Sequence, residues 1–95
     1  MKHDGYSEPV EELSDATRDM HRAITTLVDQ LQAVDRFNQR VDACRDDELR
    51  ALLAQKRDAA VGDAAMTLEW LRRRHVVFYA GLREFLFTDG PSAQG

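Results

Sequence analysis

Three features of the 95-residue sequence predict an all-α chain: a long antiparallel helical hairpin followed by a short third helix. Apolar residues recur at spacings of three and four, and nowhere alternate as they would in a strand. No glycine or proline occurs between Pro9 and Gly62, so nothing breaks a long first helix. The one polar interruption, "VDACRDDELR" at 41–50, is short, so the segments on either side fold back on each other.

Residues 1–8 read as a flexible lead-in. Pro9 is tolerated in the first turn of a helix, which places helix 1 at about residues 9–40. Its apolar positions Leu13, Met20, Ile24, Leu27, Leu31 and Val34 follow a heptad-like seam. Asp46 is a good N-cap, and Asp47 and Glu48 place negative charge in the first turn of helix 2, at about 47–74. The seam of that helix reads Leu49, Leu52, Lys56, Ala59, Asp63, Met66, Trp70. A neighbouring row, Leu53, Ala60, Thr67 and Leu71, widens its apolar face. Phe78, Leu82 and Phe85 give one face of a third helix at about 76–88. Asp89-Gly90-Pro91 stops it, leaving a frayed 90–95 tail. The whole chain is one domain.

A hairpin covers only part of each seam, and so short a chain buries little core by itself. The expectation is a homodimer whose two hairpins form a four-helix bundle, with a larger ring possible.

Composition narrows the function. The formal charge is −4, which speaks against nucleic acid as a partner. The basic run Arg72-Arg73-Arg74-His75 suits a helix C-terminus. A single cysteine, Cys44, excludes an intrachain disulfide and fits a reducing compartment. No segment has the length and apolarity of a membrane span, and the N-terminus lacks a signal-peptide core. A cytoplasmic protein without a membrane partner is expected.

Motifs for chemistry are sparse. Glu-x-x-His, the pair that holds metal inside helical bundles, does not occur. His3, His21 and His75 have no acidic neighbour at helical spacing that would help fix a metal. There is no phosphate loop, Cys-x-x-Cys pair or nucleophile elbow. The oddity is "DAAVGDAA" at 58–65, where helix 2 thins to small residues around one acid, Asp63. Gly62 there costs roughly 0.5–1 kcal/mol relative to alanine.

The words "HRAI" (21–24), "AVD" (33–35), "QRVDA" (39–43), "AAMTLEWLRR" (64–73) and "LFTDGP" (86–91) resemble the encapsulated ferritins in order and spacing. The resemblance implies a ferritin-like four-helix bundle built from two hairpins, assembled as a ring of dimers. It implies a di-iron ferroxidase centre between subunits, and packaging within an encapsulin nanocompartment that stores the iron. Members of that family extend into a tail ending in a shell-docking peptide, whereas this sequence ends five residues after Gly90.

The resemblance also carries a ligand set: a glutamate on helix 1 and Glu-x-x-His on helix 2. Alignment through the flanking words puts Gln30, Ala60 and Asp63 at those positions. The acidic patch that guides iron inward corresponds to Asp29 and Gln32, and an adjacent aromatic pair to Arg36 and Phe37. No catalytic residue is therefore expected, and no cofactor. Asp63, Gln30 and Asp29 remain weak metal candidates, suited at most to calcium or magnesium with waters completing the shell.

The reading that follows is an assembly protein of the iron-storage system with a degenerate ferroxidase centre. Its partners would be itself, an encapsulin shell or an active ferritin relative. Two alternatives stand beside it. One is an iron-oxidising enzyme with an unorthodox ligand set of Asp29, Gln30 and Asp63, in which iron would be bound. The other is a helical interaction module.

Overall fold

The computed structural model describes residues 5–90, and among them three α-helices and no strand. Helix α1 spans Asp15–Ala43, α2 Asp47–Arg74 and α3 Val76–Phe85. The chain is a thin slab, 22 Å across its shortest axis.

α1 starts later than residue 9. Pro9 opens a 3-10 turn, Val10–Glu12, and Leu13 then turns extended (φ −95°, ψ 145°). Ser14 caps the true helix, its hydroxyl accepting the Thr17 N–H at 3.1 Å. Arg18 reaches back and donates from Nε and Nη2 to the Val10 carbonyl, at 3.0 and 2.6 Å. The expected flexible lead-in is corrected in the same place. Tyr6 stacks on His21 with ring centroids 4.1 Å apart, and Gly5 supplies the left-handed turn (φ 86°) that brings it there. Residues 1–4 and 91–95 fall outside the described residues.

The hairpin turn is held by caps. Cys44 N–H donates to the Arg40 carbonyl, so α1 runs past residue 40 to Ala43. The Asp46 carboxylate accepts the Leu49 N–H at 2.8 Å. His75 closes α2 and opens α3. Its N–H donates to the Leu71 carbonyl, and its Nδ1 accepts the Phe78 N–H at 3.2 Å. α3 ends at Phe85, short of residue 88. Leu86 is extended, and Phe87 takes a left-handed φ of 60° that stops the helix before Asp89-Gly90-Pro91.

The hairpin interface corrects the expected seams. The row of α1 that faces α2 is Met20, Ala23, Leu27, Gln30, Val34, Phe37 and Val41, all half-buried. The facing row of α2 is Leu53, Arg57, Ala60, Ala64, Thr67 and Leu71. Ala60, Ala64 and Leu71 are the buried residues of the described chain. Both rows step by three and four, the heptad pattern of antiparallel helices. The row Leu49, Leu52, Asp63, Met66 lies open instead, with Met66 72% exposed. Ile24 and Leu31 of the expected α1 seam are open too.

Helical periodicity explains where these residues went. One step along a helix turns about 100°, so residues just before and just after a facing row lie on opposite flanks of the hairpin. In an antiparallel pair the two "before" rows share a flank. Thr26 of α1 and Ala59, Asp63 and Met66 of α2 therefore make one flank, called here the Asp63 flank. Asp19, Arg22, Thr26, Met66 and Trp70 indeed line one shallow hollow there. The "after" rows, Ile24, Val28 and Leu31 with Val61, Ala65 and Leu68, make the other. α3 packs on that side, and it is called the α3 flank. The expected α1 seam thus mixed the facing row with the α3 flank, while the expected α2 seam ran along the Asp63 flank.

Candidate functional site

Of the three predicted site positions, two lie in the facing rows and the third stands beside them. Gln30 and Ala60 stand in the facing rows, on the side that leads to Asp63, and Asp63 is one turn from Ala60. The i, i+3 spacing keeps 60 and 63 on one face of α2. Small residues surround them, and the carboxylate of Asp63 is exposed. Its backbone carbonyl accepts the Thr67 hydroxyl at 3.3 Å. Gly62 is no close-packing device, since a Cβ added there would meet nothing within 4 Å.

Gln30 is the unusual member. Its Oε1 is buried and has no hydrogen-bond partner. Leaving a buried carbonyl oxygen unpaired costs about 1–3 kcal/mol. No hydrogen bond joins Gln30 to Asp63 within one chain among the described residues.

The remaining expected positions are not gathered around it. Asp29 and Arg36 are exposed and, standing just before Gln30 and Phe37, fall on the Asp63 flank, whereas Gln32 lies about 200° around the helix from Gln30. Phe37 turns into the hairpin, with the Arg40 guanidinium 5.6 Å over its ring. Among the described residues no group of three or more His, Cys, Asp or Glu side chains comes together.

The donor chemistry decides what such a site holds. At positions 30, 60 and 63 each chain offers one carboxylate, one neutral amide oxygen and a methyl group. Iron-oxidising bundles use several carboxylates and imidazole nitrogens, whose anionic charge offsets that of the metals. The residues present do not fit a di-iron centre.

Two features escaped the sequence reading. Glu69 forks onto Arg72, with Nε to Oε1 and Nη2 to Oε2 both at 2.6 Å, and takes Arg73 Nε at 2.8 Å. These hydrogen bonds, from Arg72 first and then Arg73, pull the Glu69 carboxyl from 4.5 down to about 2, and hold the Arg72 guanidinium above its usual value. The i, i+3 and i, i+4 spacings were the available signal. Beside this clamp a groove of about 540 Å³ opens between α2 and α3, floored by Ala65, Leu68 and Leu82. No sequence pattern announces it, because α3 must be docked before the groove exists.

Comparison with known proteins places this geometry. A sequence model of the EncFtn-like family matches residues 5–89. An encapsulated ferritin-like protein of Rhodospirillum rubrum is 51% identical over 84 residues, covering 88% of this chain and 60% of that protein. A ferritin-like protein of Thermotoga maritima is 43% identical over 88 residues, covering 93% of this chain and 77% of that protein. The chain thus spans about three fifths of the first relative's length and about three quarters of the second's. Among solved structures, a Nitrosomonas europaea protein superposes with a TM-score of 0.87 at 56% identity, covering 94% of this chain and 98% of that one. No described helix is long and apolar enough to cross a membrane.

Proposed function

Because the chain belongs to the EncFtn-like family, we propose that it is an assembly protein of an encapsulin iron-storage system whose inherited ferroxidase positions no longer hold iron. The observation that carries this reading is the donor set at Gln30, Ala60 and Asp63. It keeps the spacing of a metal shell and has lost most of its charge. The orphaned Oε1 of Gln30 supports it: the side chain still occupies a ligand's place without a partner.

The working unit in this reading is a homodimer joined through the Asp63 flank. Two copies meeting there bring Met66, Leu52 and the small residues 59–65 together, covering apolar surface that one chain leaves open. Gln30 Oε1 then lies near the partner copy, where a donor can satisfy it. Weak calcium or magnesium binding by Asp63 and Gln30 stays within the chemistry of that pair, as oxygen donors suit hard cations. The role left to the protein is structural: co-assembly with an active relative or with a shell.

Ferrous oxidation tests the core of the reading. The protein as it stands should oxidise ferrous iron no faster than buffer in a stopped-flow assay. The combined substitution Gln30→Glu, Ala60→Glu and Asp63→His should bind two irons per dimer and gain oxidase activity. Each single substitution should gain little, because a partial shell leaves metal charge uncompensated. Turnover by the unmodified chain would overturn the proposal in favour of an unorthodox ligand set.

A further inference from the structure

We propose that the groove between α2 and α3 binds a medium-chain carboxylate, its head held by Tyr79 and Arg83 and its hydrocarbon tail lying along Leu68 and Leu82. The groove shares no residue with positions 30, 60 and 63, so the inference goes beyond the reading above.

One end of the groove holds donors that lack an acceptor. Arg83 Nη1 donates to the Tyr79 hydroxyl oxygen at 3.1 Å. The phenol therefore serves as an acceptor, and its own O–H has no acceptor among the described residues. Arg83 forms no ion pair among those residues either, so most of its N–H groups are left over. A phenol O–H beside a guanidinium N–H suits a carboxylate, which accepts from both at once. Arg72 stands at the same end, its guanidinium 5.5 Å from the centre of the Tyr79 ring.

The balance of charge selects an anion. Glu69 lines the groove, but its carboxylate is already forked onto Arg72 and also takes Arg73. Among the described residues the lining carries two guanidiniums, Arg72 and Arg83, and the one carboxylate of Glu69. That is a net charge of +1, on a chain whose formal charge is −4.

The rest of the groove suits a tail. Arg72 and Tyr79 flank the turn at His75, whereas Ala65 and Leu86 lie seven residues farther from it, about 10 Å along each helix. Leu68 and Leu82 floor the space between. Leu86 and Phe87, 41% and 102% exposed, border the open end. A groove of about 540 Å³ with an apolar floor and few polar groups has the size and make-up of a small-molecule site. A small anion alone leaves the floor wet, and a neutral chain leaves the two donors unused. An anion with a hydrocarbon tail satisfies both.

The test titrates the 95-residue chain with decanoate, followed by calorimetry and by the amide resonances of α2 and α3. Decanoate should saturate at one per chain and move the amides of residues 65–68 and 79–86 most. Acetate, the head alone, and decanol, the tail alone, should each bind at least about tenfold more weakly. Tyr79→Phe keeps the ring and removes the O–H donor. Arg83→Met keeps an unbranched stem and removes the charge. Each should weaken decanoate about tenfold while leaving decanol binding and the urea midpoint as in wild type, which separates a lost head contact from a lost fold. Decanoate that binds no more tightly than decanol, or that moves amides elsewhere, would overturn the proposal. So would a groove already filled by another copy, which would leave no saturable binding. Binding to phosphatidylglycerol vesicles with none to decanoate would also overturn it, making the face a membrane surface.

Discussion

The two flanks of one hairpin have been treated very differently. The Asp63 flank is built from short or charged side chains at its centre, Thr26, Ala59 and Asp63, with large apolar groups toward its ends at Leu52, Met66 and Trp70. The α3 flank is apolar through its middle, with Ile24, Val28, Leu31 and Val61 leading to the groove and Phe87. Both flanks hang on the same facing rows, so the difference is not one of scaffold. A surface meant only to bury area fills its centre with aliphatic groups. A surface that leaves its centre small and polar gives up that burial, and the proposed loss of a metal site would account for it.

The comparison breaks first if the facing rows do not separate the flanks. Leu71 is fully buried at 0% exposure, whereas Met66, five residues earlier, is open. Leu71→Ala should therefore destabilise the chain by about 2–5 kcal/mol in urea unfolding. Met66→Ala should change the same measurement by less than about 0.5 kcal/mol at concentrations low enough to keep copies apart. Trp70 falls between them. It is half-buried, with the Arg74 guanidinium 4.9 Å over its ring, so the loss expected from a fully buried ring does not apply to it. Equal losses at 66 and 71 would mean that the facing row has been misplaced.

Much of this architecture was legible in the sequence, and the exceptions have physical causes. The Asp46 cap and the long glycine-free run are local signals, and local signals survive without knowledge of the fold. The facing rows were harder. Met20, Leu27 and Val34 are shared by the true row and the expected one, and swapping Ala23 for Ile24 and Gln30 for Leu31 makes a more hydrophobic stripe. Periodicity alone prefers that stripe. Folding prefers the row whose small residues, Ala23 on α1 and Ala60 and Ala64 on α2, let two helices approach. The candidate site was legible as positions and not as surroundings. Residues 30 and 60 fall in the facing rows with 63 one turn away on the flank, and the unpaired Gln30 oxygen and the inward turn of Phe37 depend on the partner helix.

A smaller effect sharpens the reading of the thinned segment. Gly62 faces outward between the flanks, and a Cβ there meets nothing within 4 Å. Gly62→Ala should raise stability by roughly 0.5–1 kcal/mol, measured by the urea midpoint at unchanged slope. A loss instead would show that a second copy comes closer to residue 62 than to the Asp63 flank proper. The dimer contact would then have to be redrawn around the outer surface of α2.

The smallest expected effect lies at the rim of the α3 flank. Glu69 holds Arg72 and Arg73, and its carboxyl is lowered from 4.5 to about 2 because both guanidiniums hydrogen-bond its charged form. A carboxyl whose folded value is depressed contributes stability that is present above its unfolded value. That contribution is lost as pH falls through the folded value. The window is therefore about 4.5 down to about 2, and between pH 6 and 8 Glu69 should add no slope at all. The pair is partly open to water, with 42% of the Glu69 side chain exposed, so its contribution is small and screened by salt. Glu69→Gln should flatten part of the acid limb of the stability curve while leaving its neutral plateau nearly unchanged. An acid limb that Glu69→Gln leaves as steep as in the parent chain would mean that the fork onto Arg72 and Arg73 does not set the charge of Glu69.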